Sequence, residues 1–570
     1  MTAANLNPQP LDAAPKAPLR VALMIDTYIQ PRWRHKIVAE ILASPVAALV
    51  LIIMNGDTET QAHTATQKIG YILRQRRHFL YKLYTRLDDK VFGKPGDAFE
   101  NLSIEPLVAG VPVMSVKPIK KKFTDDFSGE DHAAIAKYDI DVALRFGFRI
   151  VKGNALRVAK HGVWSHHHGD NLLYRGGPPG FWEVMRGDPF TGTILQVLSE
   201  ELDGGQVIYR SFAETDKRSV RRNANNYYWQ SVTAVASKLR DLHAFGPCAL
   251  KDPLPAAWTP YSSQLYKAPT NIQMMGLLSR FAARYARFKI ADRFYFDQWF
   301  MAYKINPKAD AIDDTLYKFK KLVPPKDRFW ADPFPLKKDG KYYIFFEELI
   351  YKNRKGHLSV MEVDRKGIVD GPHKILERPY HLSYPFVFCW NGGLYMIPET
   401  GKARTVELYR CTSFPDKWEF DRVLLSDIHA ADTTLAEIEG QWWMFTSVEV
   451  DGARDLYELH LYYADTPLGP WKAHRFNPVK ADVRSSRSAG RIFKKDGDYY
   501  RPAQVGLGYA MSINRIERLD PEGYLESEVC KISSEWADHL VGTHTFNSAD
   551  GLTVIDGQVQ RRRYFGGRGV

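Results

Sequence analysis

From Arg20 to about Phe212 the chain alternates near-continuous apolar runs with longer amphipathic stretches. "LRVALMID" (Leu19–Asp26), "VAALVLIIM" (Val46–Met54) and "DVALRFGF" (Asp141–Phe148) read as strands, and "RHKIVAEILAS" (Arg34–Ser44) reads as a helix. Strands that are apolar on both faces and separated by helices imply a parallel sheet covered on both sides. From about Lys217 to Lys304 the apolar spacing becomes helical, in "NYYWQSVTAVASKLRDL" (Asn226–Leu242) and "MMGLLSRFAARYARFKIADRFYF" (Met274–Phe296). The second is aromatic and basic, a composition suited to packing between domains or to lying on a membrane surface.

From about Asp327 the texture changes to short strands punctuated by turns. "KKDGKYYIFFEE" (Lys337–Glu348) recurs loosely as "WNGGLYMIPET" (Trp390–Thr400), "IEGQWWMFTS" (Ile438–Ser447), "KKDGDYYRPAQ" (Lys494–Gln504) and "SADGLTVIDGQ" (Ser548–Gln558). The turn glycines Gly340, Gly392, Gly440, Gly497 and Gly551 are spaced by 52, 48, 57 and 54 residues. Each unit is a hairpin in which a polar residue and a glycine supply the positive φ of a tight turn. Five such units near 50 residues predict propeller blades. The expected organisation is a lead-in over 1–18, an α/β domain over 19–215, a helical connector over 216–305 and a five-bladed β-propeller over 306–570.

At 570 residues the chain has room for two or more domains, and 45% hydrophobic and 13% aromatic residues supply material for their cores. A net charge of +12 is modest at this length. The basic clusters Arg74–Arg77, Lys120–Lys122, Lys217–Arg222 and Arg561–Arg563 are solvated faces or contacts for phosphate or anionic lipid. They lack the interleaved aromatics of a nucleic-acid surface. Cys248, Cys389, Cys411 and Cys530 are scattered and form no CxxC pair, which fits a reducing compartment and argues against a thiolate metal site. The Pro/Ala-rich N-terminus has no apolar core of a signal peptide. The longest apolar run, Ile41–Met54, is broken by Pro45 and is too short to span a bilayer. A cytoplasmic protein is expected, with peripheral membrane contact open and the oligomeric state unassigned.

The stretch "SHHHGD" (Ser165–Asp170) places three histidines in a row. Neighbouring side chains on a strand point to opposite faces, so three in succession do not converge on one ion, and no metal is expected. The surrounding sequence, "VALRFGFRIVKGNALRVAKHGVWSHHHGDNLLYRGGPPGFWEVMRGDPFTGTILQVLSEELDGGQVI" (Val142–Ile208), resembles the formyltransferase superfamily. That superfamily includes methionyl-tRNA, glycinamide ribonucleotide and sugar N-formyltransferases, with a G-x-x-N-x-H-x-S-x-L-P motif, an R-G and a late acidic element. The resemblance puts Gly162 at the first glycine, His167 at the catalytic histidine, Arg175 and Gly176 at R-G, and Asp203 at the catalytic aspartate. It implies an α/β Rossmann-like fold, 10-formyltetrahydrofolate as formyl donor, and a pterin against Arg145, Phe146, Gly147 and Phe148. An imidazole such as His167 can serve an oxyanion or move a proton near neutral pH, with a carboxylate fixing its tautomer. One position departs: Ser165 stands where the family has asparagine. A hydroxyl offers a single, shorter donor, and a lost oxyanion donor costs on the order of 10²–10³ in rate.

In the second half, "FWADPFPLKKDGKYYIFFEE" (Phe329–Glu348) resembles the first blade of five-bladed glycoside hydrolase propellers. "SYPFVF", "YMIPET", "GPWKAHRFNPV" (Gly469–Val479), "RSAGRIF" (Arg487–Phe493) and "YRPAQ" (Tyr500–Gln504) resemble the module of plant glucosamine inositolphosphorylceramide transferases. Glycosidic chemistry needs paired carboxylates. The candidates are Asp332, Glu399 and Asp432, with Arg487, Gln504 and His544 as polar company. The leading expectation is therefore an enzyme that transfers a formyl group to an amino group of a sugar or glycolipid precursor, held by the propeller. The alternatives are a glycan-acting propeller enzyme, transferase or hydrolase, with an inactive formyltransferase-like domain, and a glycan-binding scaffold without catalysis.

Overall fold

The computed structural model describes residues 16–57, 76–201, 204–250, 265–307, 315–450, 452–453, 455–506 and 508–563. They divide into two compact units, the first within 1–182, 192–211 and 227–271, the second within 183–191, 212–226 and 272–570. Among the described residues no helix is long and apolar enough to cross a membrane.

The first unit is built on a seven-stranded sheet. Its strands are β1 (Leu19–Ile25), β2 (Ala47–Asn55), β3 (Val113–Val116), β4 (Val142–Arg145), β5 (Val163–His167), β6 (Phe190–Val197) and β7 (Gln206–Glu214), in the order β7-β6-β5-β4-β1-β2-β3. The five strands β3-β2-β1-β4-β5 run parallel, and β6 pairs antiparallel with β5. The near-continuous apolar strands are buried as their pattern predicts: Val21 to Ile25 and Leu51 to Ile53 are fully covered. Helix α1 (Arg32–Ala43) buries Trp33, Ile37, Val38 and Ile41. It stops at Ser44, whose extended backbone (φ −80°, ψ 131°) is what the following Pro45 enforces. The chain passes from β1 to β2 on one side and later returns to β4 on the other, so the sheet switches direction between β1 and β4. Open α/β sheets hold their ligands outside the carboxyl ends of the strands at such a point.

The expected helical connector holds two helices, α2 (Val220–Phe245) and α3 (Asn271–Phe294), but differs from the expectation at both ends. Residues of α2 pack in the first unit, where Ser231 accepts from or donates through its carbonyl side to His166 Nε2 at 2.9 Å and Tyr228 stacks on His168. Residues Tyr295–Ile305 are a strand.

The second unit contains five antiparallel sheets, here I to V in order of their first hairpins. Sheet I comprises Arg328–Lys338, Lys341–Ile350, Lys355–Val363 and Ile368–Leu376; sheet II comprises Ser383–Trp390, Gly393–Glu399, Thr405–Ser413 and Lys417–Ser426. Sheet III comprises Ala430–Ile438, Gln441–Glu449, Tyr457–Ala464 and Lys472–Ala473; sheet IV comprises Phe493–Lys495, Asp498–Val505, Ala510–Asp520 and Gly523–Ser533. Sheet V joins distant parts of the chain: Tyr295–Ile305 pairs along its whole length with Leu552–Arg562, flanked by Lys320–Leu322, Leu540–Gly542 and Phe546–Ala549. Every predicted hairpin turn is present. In each, a left-handed residue (Asp339, Asn391, Glu439, Asp496 or Asp550) precedes a left-handed glycine, giving the two-residue turn whose twist suits a hairpin.

Apolar side chains join neighbouring sheets. One cluster spans sheets I to III, including Phe345, Phe386 and Met444. A second joins sheet III to sheet IV through Phe445 and Tyr524, a third joins sheet IV to sheet V through Met511 and Phe300, and a fourth joins sheet V to sheet I through Val554 and Phe346.

Candidate functional site

Eight residues before the turn glycine, the first strands of sheets I, II and III carry the same irregularity. The pairing slips between Ala331 and Phe334, between Ser383 and Phe386, and between Ala431 and Thr434, so one extra residue is accommodated in each. The residues at the slip, Asp332 (φ 52°), Tyr384 (φ 46°) and Asp432 (φ 50°), are all left-handed. Such bulges re-aim a side chain and concentrate at functional sites.

The three bulges bring the sequence-predicted polar residues of this half together. Asp432, only 1% exposed, is ion-paired with Arg487 Nε and accepts from Gln504 Nε2 at 3.0 Å. Arg487 Nη2 lies 3.7 Å from Glu399 Oε2, and the Arg487 guanidinium sits 4.9 Å from the centre of the Tyr457 ring. Asp332, 4% exposed, accepts from the backbone N–H of Tyr384 at 3.2 Å and from the Thr545 hydroxyl at 2.6 Å. His544 lies between Asp332 (3.6 Å) and Asp556 (2.5 Å), and its ring stacks on Trp299 with centroids 4.0 Å apart. All five sheets contribute. The Glu399 and Arg487 side chains keep about a fifth of their surface accessible (21% and 23%), so a ligand can reach them.

The electrostatics separate these groups. Burial, reinforced by Asp432 and opposed by Arg487, pushes Glu399 up to about 8. Burial pushes Asp332 up to about 7, against the pull of His544. Burial works against a charge on His544, but Asp556 and Asp332 outweigh it and raise the imidazole to about 9. Arg487 is likewise raised despite its burial, by Asp432, Tyr457 and Glu399. Among the described residues, Glu399 Oε2 and Gln504 Oε1 are buried without a hydrogen-bond partner. Unsatisfied polar atoms are rare in native interiors and mark places where a ligand or water completes the bonding. The site thus holds a carboxyl group that keeps its proton near neutral pH beside a carboxylate fixed by an arginine, the pair of states that acid–base chemistry on glycosidic bonds employs.

Asp332, His544 and Asp556 each bring a ligand atom within 4.8 Å of the others, and are the set among the described residues that could hold a metal ion. The raised imidazole already supplies the cation between the two carboxylates.

In the first unit, a cavity of about 360 Å³ opens at the switch point and is lined by residues that include Asp26, Trp33, Arg34, Arg145, Phe146, Phe148, Ser165, His166, His168 and Tyr228. Arg145, Phe146, Gly147, Phe148 and Ser165 therefore lie where the sequence suggests a ligand. Gly147 is needed for backbone approach: a Cβ there would stand 2.4 Å from the Asp26 nitrogen. His167 does not line the cavity. Alternation along β5 turns it away from His166 and His168, and its Nε2 lies toward Gly169 on the other face. Arg175 and Gly176 are also outside the cavity, on a segment where Arg175 accepts from the Tyr266 N–H at 2.8 Å. Asp203 lies outside the described residues. Ser165 is engaged: its hydroxyl accepts from Arg145 Nη2 at 3.0 Å and Nε at 3.3 Å, and contacts the His166 carbonyl at 3.3 Å. The cavity suits a flat anionic molecule, but the histidine and the oxyanion donor that the formyltransferase resemblance implies are not assembled in it among the described residues. No step through a formyl donor follows from this geometry.

Several participants carried no sequence signal. Asp556 reaches Asp332 only through the long-range pairing in sheet V. Tyr384 was legible in principle, since it occupies the same place relative to its turn glycine as Asp332 and Asp432 do.

The second unit is, by fold and site, a protein of antiparallel sheets whose first strands converge on a carboxylate–arginine centre. Residues 320–556 match the sequence family described as glucosamine inositolphosphorylceramide transferase 1, N-terminal. The chain is 32% identical over 246 residues to glucosamine inositolphosphorylceramide transferase 1 of Oryza sativa subsp. japonica, covering 40% of this chain and 33% of that protein. It is 36% identical over 208 residues to the Arabidopsis thaliana protein of the same name, covering 35% and 27%. A shorter stretch is 35% identical over 103 residues to methionyl-tRNA formyltransferase of Cutibacterium acnes, covering 18% of this chain and 30% of that enzyme. The chain thus spans about a third or less of the length of these relatives. Among solved structures, a family 117 glycoside hydrolase of the marine bacterium Zobellia galactanivorans aligns at a TM-score of 0.31 and 14% identity, over 46% of this chain and 90% of that one. Glycinamide ribonucleotide transformylase 1 of Symbiobacterium toebii aligns at 0.26 and 13%, over 40% and 88%.

Proposed function

We propose that the second unit is a five-bladed β-propeller that acts on a glycosyl group of a glycolipid, as a transferase or a hydrolase, with its chemistry centred on Glu399 and Asp432. The observation that carries this reading is the convergence of Asp332, Glu399 and Asp432 with Arg487 and Gln504. The clusters that join each sheet to the next, and sheet V to sheet I, support the closed ring. In this reading Glu399 exchanges a proton with the glycosidic or acceptor oxygen. The Asp432 carboxylate, held in place by Arg487 and Gln504, stabilises the positive charge that develops on the sugar ring. The similarity to proteins named for glucosamine and inositolphosphorylceramide favours an amino sugar and an inositol phospholipid head group as substrates.

The test is to incubate the purified chain with nucleotide-activated amino sugars and inositolphosphorylceramide, and separately with the glycosylated lipid, and to follow products by mass spectrometry. Wild type forms or cleaves the glycolipid, and Glu399→Gln lowers the rate about 100-fold or more, the usual scale of a lost acid–base group. Absence of both products, or a Glu399→Gln variant as fast as wild type, overturns the reading.

Formyl transfer to an amino sugar by the first unit is the second reading, supported by the cavity that Arg145, Phe146, Gly147, Phe148 and Ser165 help to form. It requires formylated amino sugar to appear from 10-formyltetrahydrofolate and to disappear in His167→Ala.

A further inference from the structure

We propose that the cavity outside the carboxyl ends of β1, β4 and β5 is an anion-binding site, in which the Arg34 and Arg145 guanidiniums grip a phosphate or carboxylate carried on a flat ring. The proposal stands apart from the glycan chemistry of the second unit.

Both arginines are held by neutral oxygens. Arg34 Nη1 donates to Gln30 Oε1 at 3.2 Å and to the Phe146 carbonyl. Arg145 donates to the Ser165 hydroxyl, to the Arg149 carbonyl at 2.8 Å and to the Phe148 carbonyl at 3.4 Å. Among the described residues neither makes an ion pair with a carboxylate. The one acid on the cavity wall, Asp26, is exposed and turned to other work: its Oδ1 accepts from the Phe148 N–H and from Asn55 Nδ2, each at 2.8 Å. Two cations against one spent carboxylate leave the cavity positive, and a cation taken out of water without a counter-ion is costly. An anion entering between them removes that cost.

The remaining walls describe the rest of the ligand. The Arg34 Nε is buried without a hydrogen-bond partner among the described residues, a donor still to be used. Burial lowers Arg34 to about 10 and keeps His166 near 4, so at neutral pH the arginine is charged and the imidazole is not. Trp33 and Phe146 carry the Arg34 guanidinium on their faces at 5.1 and 5.3 Å, and Tyr228 stacks on His168 at 3.7 Å. These flat surfaces suit a planar ring next to the anionic group. At the switch point of the sheet, the position is one where open α/β sheets bind ligands.

The test is calorimetric titration of the full chain with inorganic phosphate, uridine 5′-monophosphate, benzoate and 5-formyltetrahydrofolate. The proposal expects one-to-one binding of at least one ring-bearing anion, weakened tenfold or more in Arg34→Gln and unaffected by Lys36→Gln on the exposed face of α1. Competition by inorganic phosphate identifies a phosphate site, and competition by benzoate alone identifies a carboxylate site. Arg145→Gln gives the same loss, and if that variant misfolds the Arg34→Gln result decides alone. No binding of any probe to wild type, or binding that Arg34→Gln leaves unchanged, overturns the proposal, 5-formyltetrahydrofolate bound in this insensitive way included. Neither result bears on the Glu399→Gln comparison.

Discussion

Arg487 is ion-paired with Asp432 through Nε while its Nη2 lies 3.7 Å from Glu399, so one buried guanidinium spans two carboxyl groups that arise from different sheets. It lets Asp432 stay ionised in the interior and leaves Glu399 within reach of a substrate.

Removing this arginine should therefore hurt stability as well as activity. Arg487→Met strands a buried Asp432 and is expected to cost about 3–5 kcal/mol, the scale of a broken buried pair. Asp432→Asn keeps the shape and most of the stability, yet loses activity about as severely as Glu399→Gln. Urea unfolding of the two variants, alongside the product assay, separates the effects.

The raised groups set a pH dependence. Glu399, Asp332 and His544 are all pushed above their ordinary values, to about 8, 7 and 9. A group with a raised folded pKa holds its proton more tightly in the folded chain. Its contribution is complete below the unfolded value and is lost as pH rises through the folded one. For the carboxyl groups the loss extends from about pH 4 upward, and for His544 from about 6.5 to 9. Tm should fall steadily from pH 6 to 9.5, and Asp332→Asn should flatten part of that slope. A Tm that rises over this range contradicts the electrostatics described.

Away from the site, Arg501 and Glu526 form an almost fully buried pair at 2.7 Å, with Lys480 on the same carboxylate. Burial would raise Glu526, but Arg501 and Lys480 outweigh it and hold the group near 2. Arg501→Met should cost about 3–5 kcal/mol, and the double change with Glu526→Met should recover most of it, because two matched apolar groups replace an orphaned charge. Thermal unfolding of the single and double variants measures this directly.

The two kinds of glycine should respond differently. At Gly340 a Cβ would meet nothing within 4 Å, and only the left-handed backbone (φ +77°) opposes a side chain. Gly340→Ala should cost about 1 kcal/mol. At Gly147 a Cβ would collide with the Asp26 backbone at 2.4 Å, so Gly147→Ala must displace the end of β1 or β4 and should cost clearly more. Equal losses in chemical denaturation would contradict this distinction.

Local signals in the sequence located most of the fold. Apolar runs marked β1, β2 and β4, and the polar-glycine pairs marked all five hairpin turns, because these features depend on neighbours in the chain. The strand Tyr295–Ile305 was read as part of a helical connector, since its pairing partner lies some 250 residues away and nothing local announces it. The site followed the same division. Asp332, Glu399, Asp432, Arg487 and Gln504 were visible as polar residues in strand-end motifs, whereas Asp556 enters only through sheet V. In "SHHHGD", spacing drew attention to His167, but strand alternation gives the cavity to His166 and His168.

The most direct test of the account is the initial rate of glycolipid formation or cleavage by wild type and by Glu399→Gln, measured from pH 6 to 9.5 on protein shown by circular dichroism to be folded. The account predicts a wild-type rate that declines above about pH 8, where Glu399 gives up its proton, and a variant at or below about one hundredth of that rate with no such decline. A folded Glu399→Gln protein with the wild-type rate and the wild-type pH profile would contradict it.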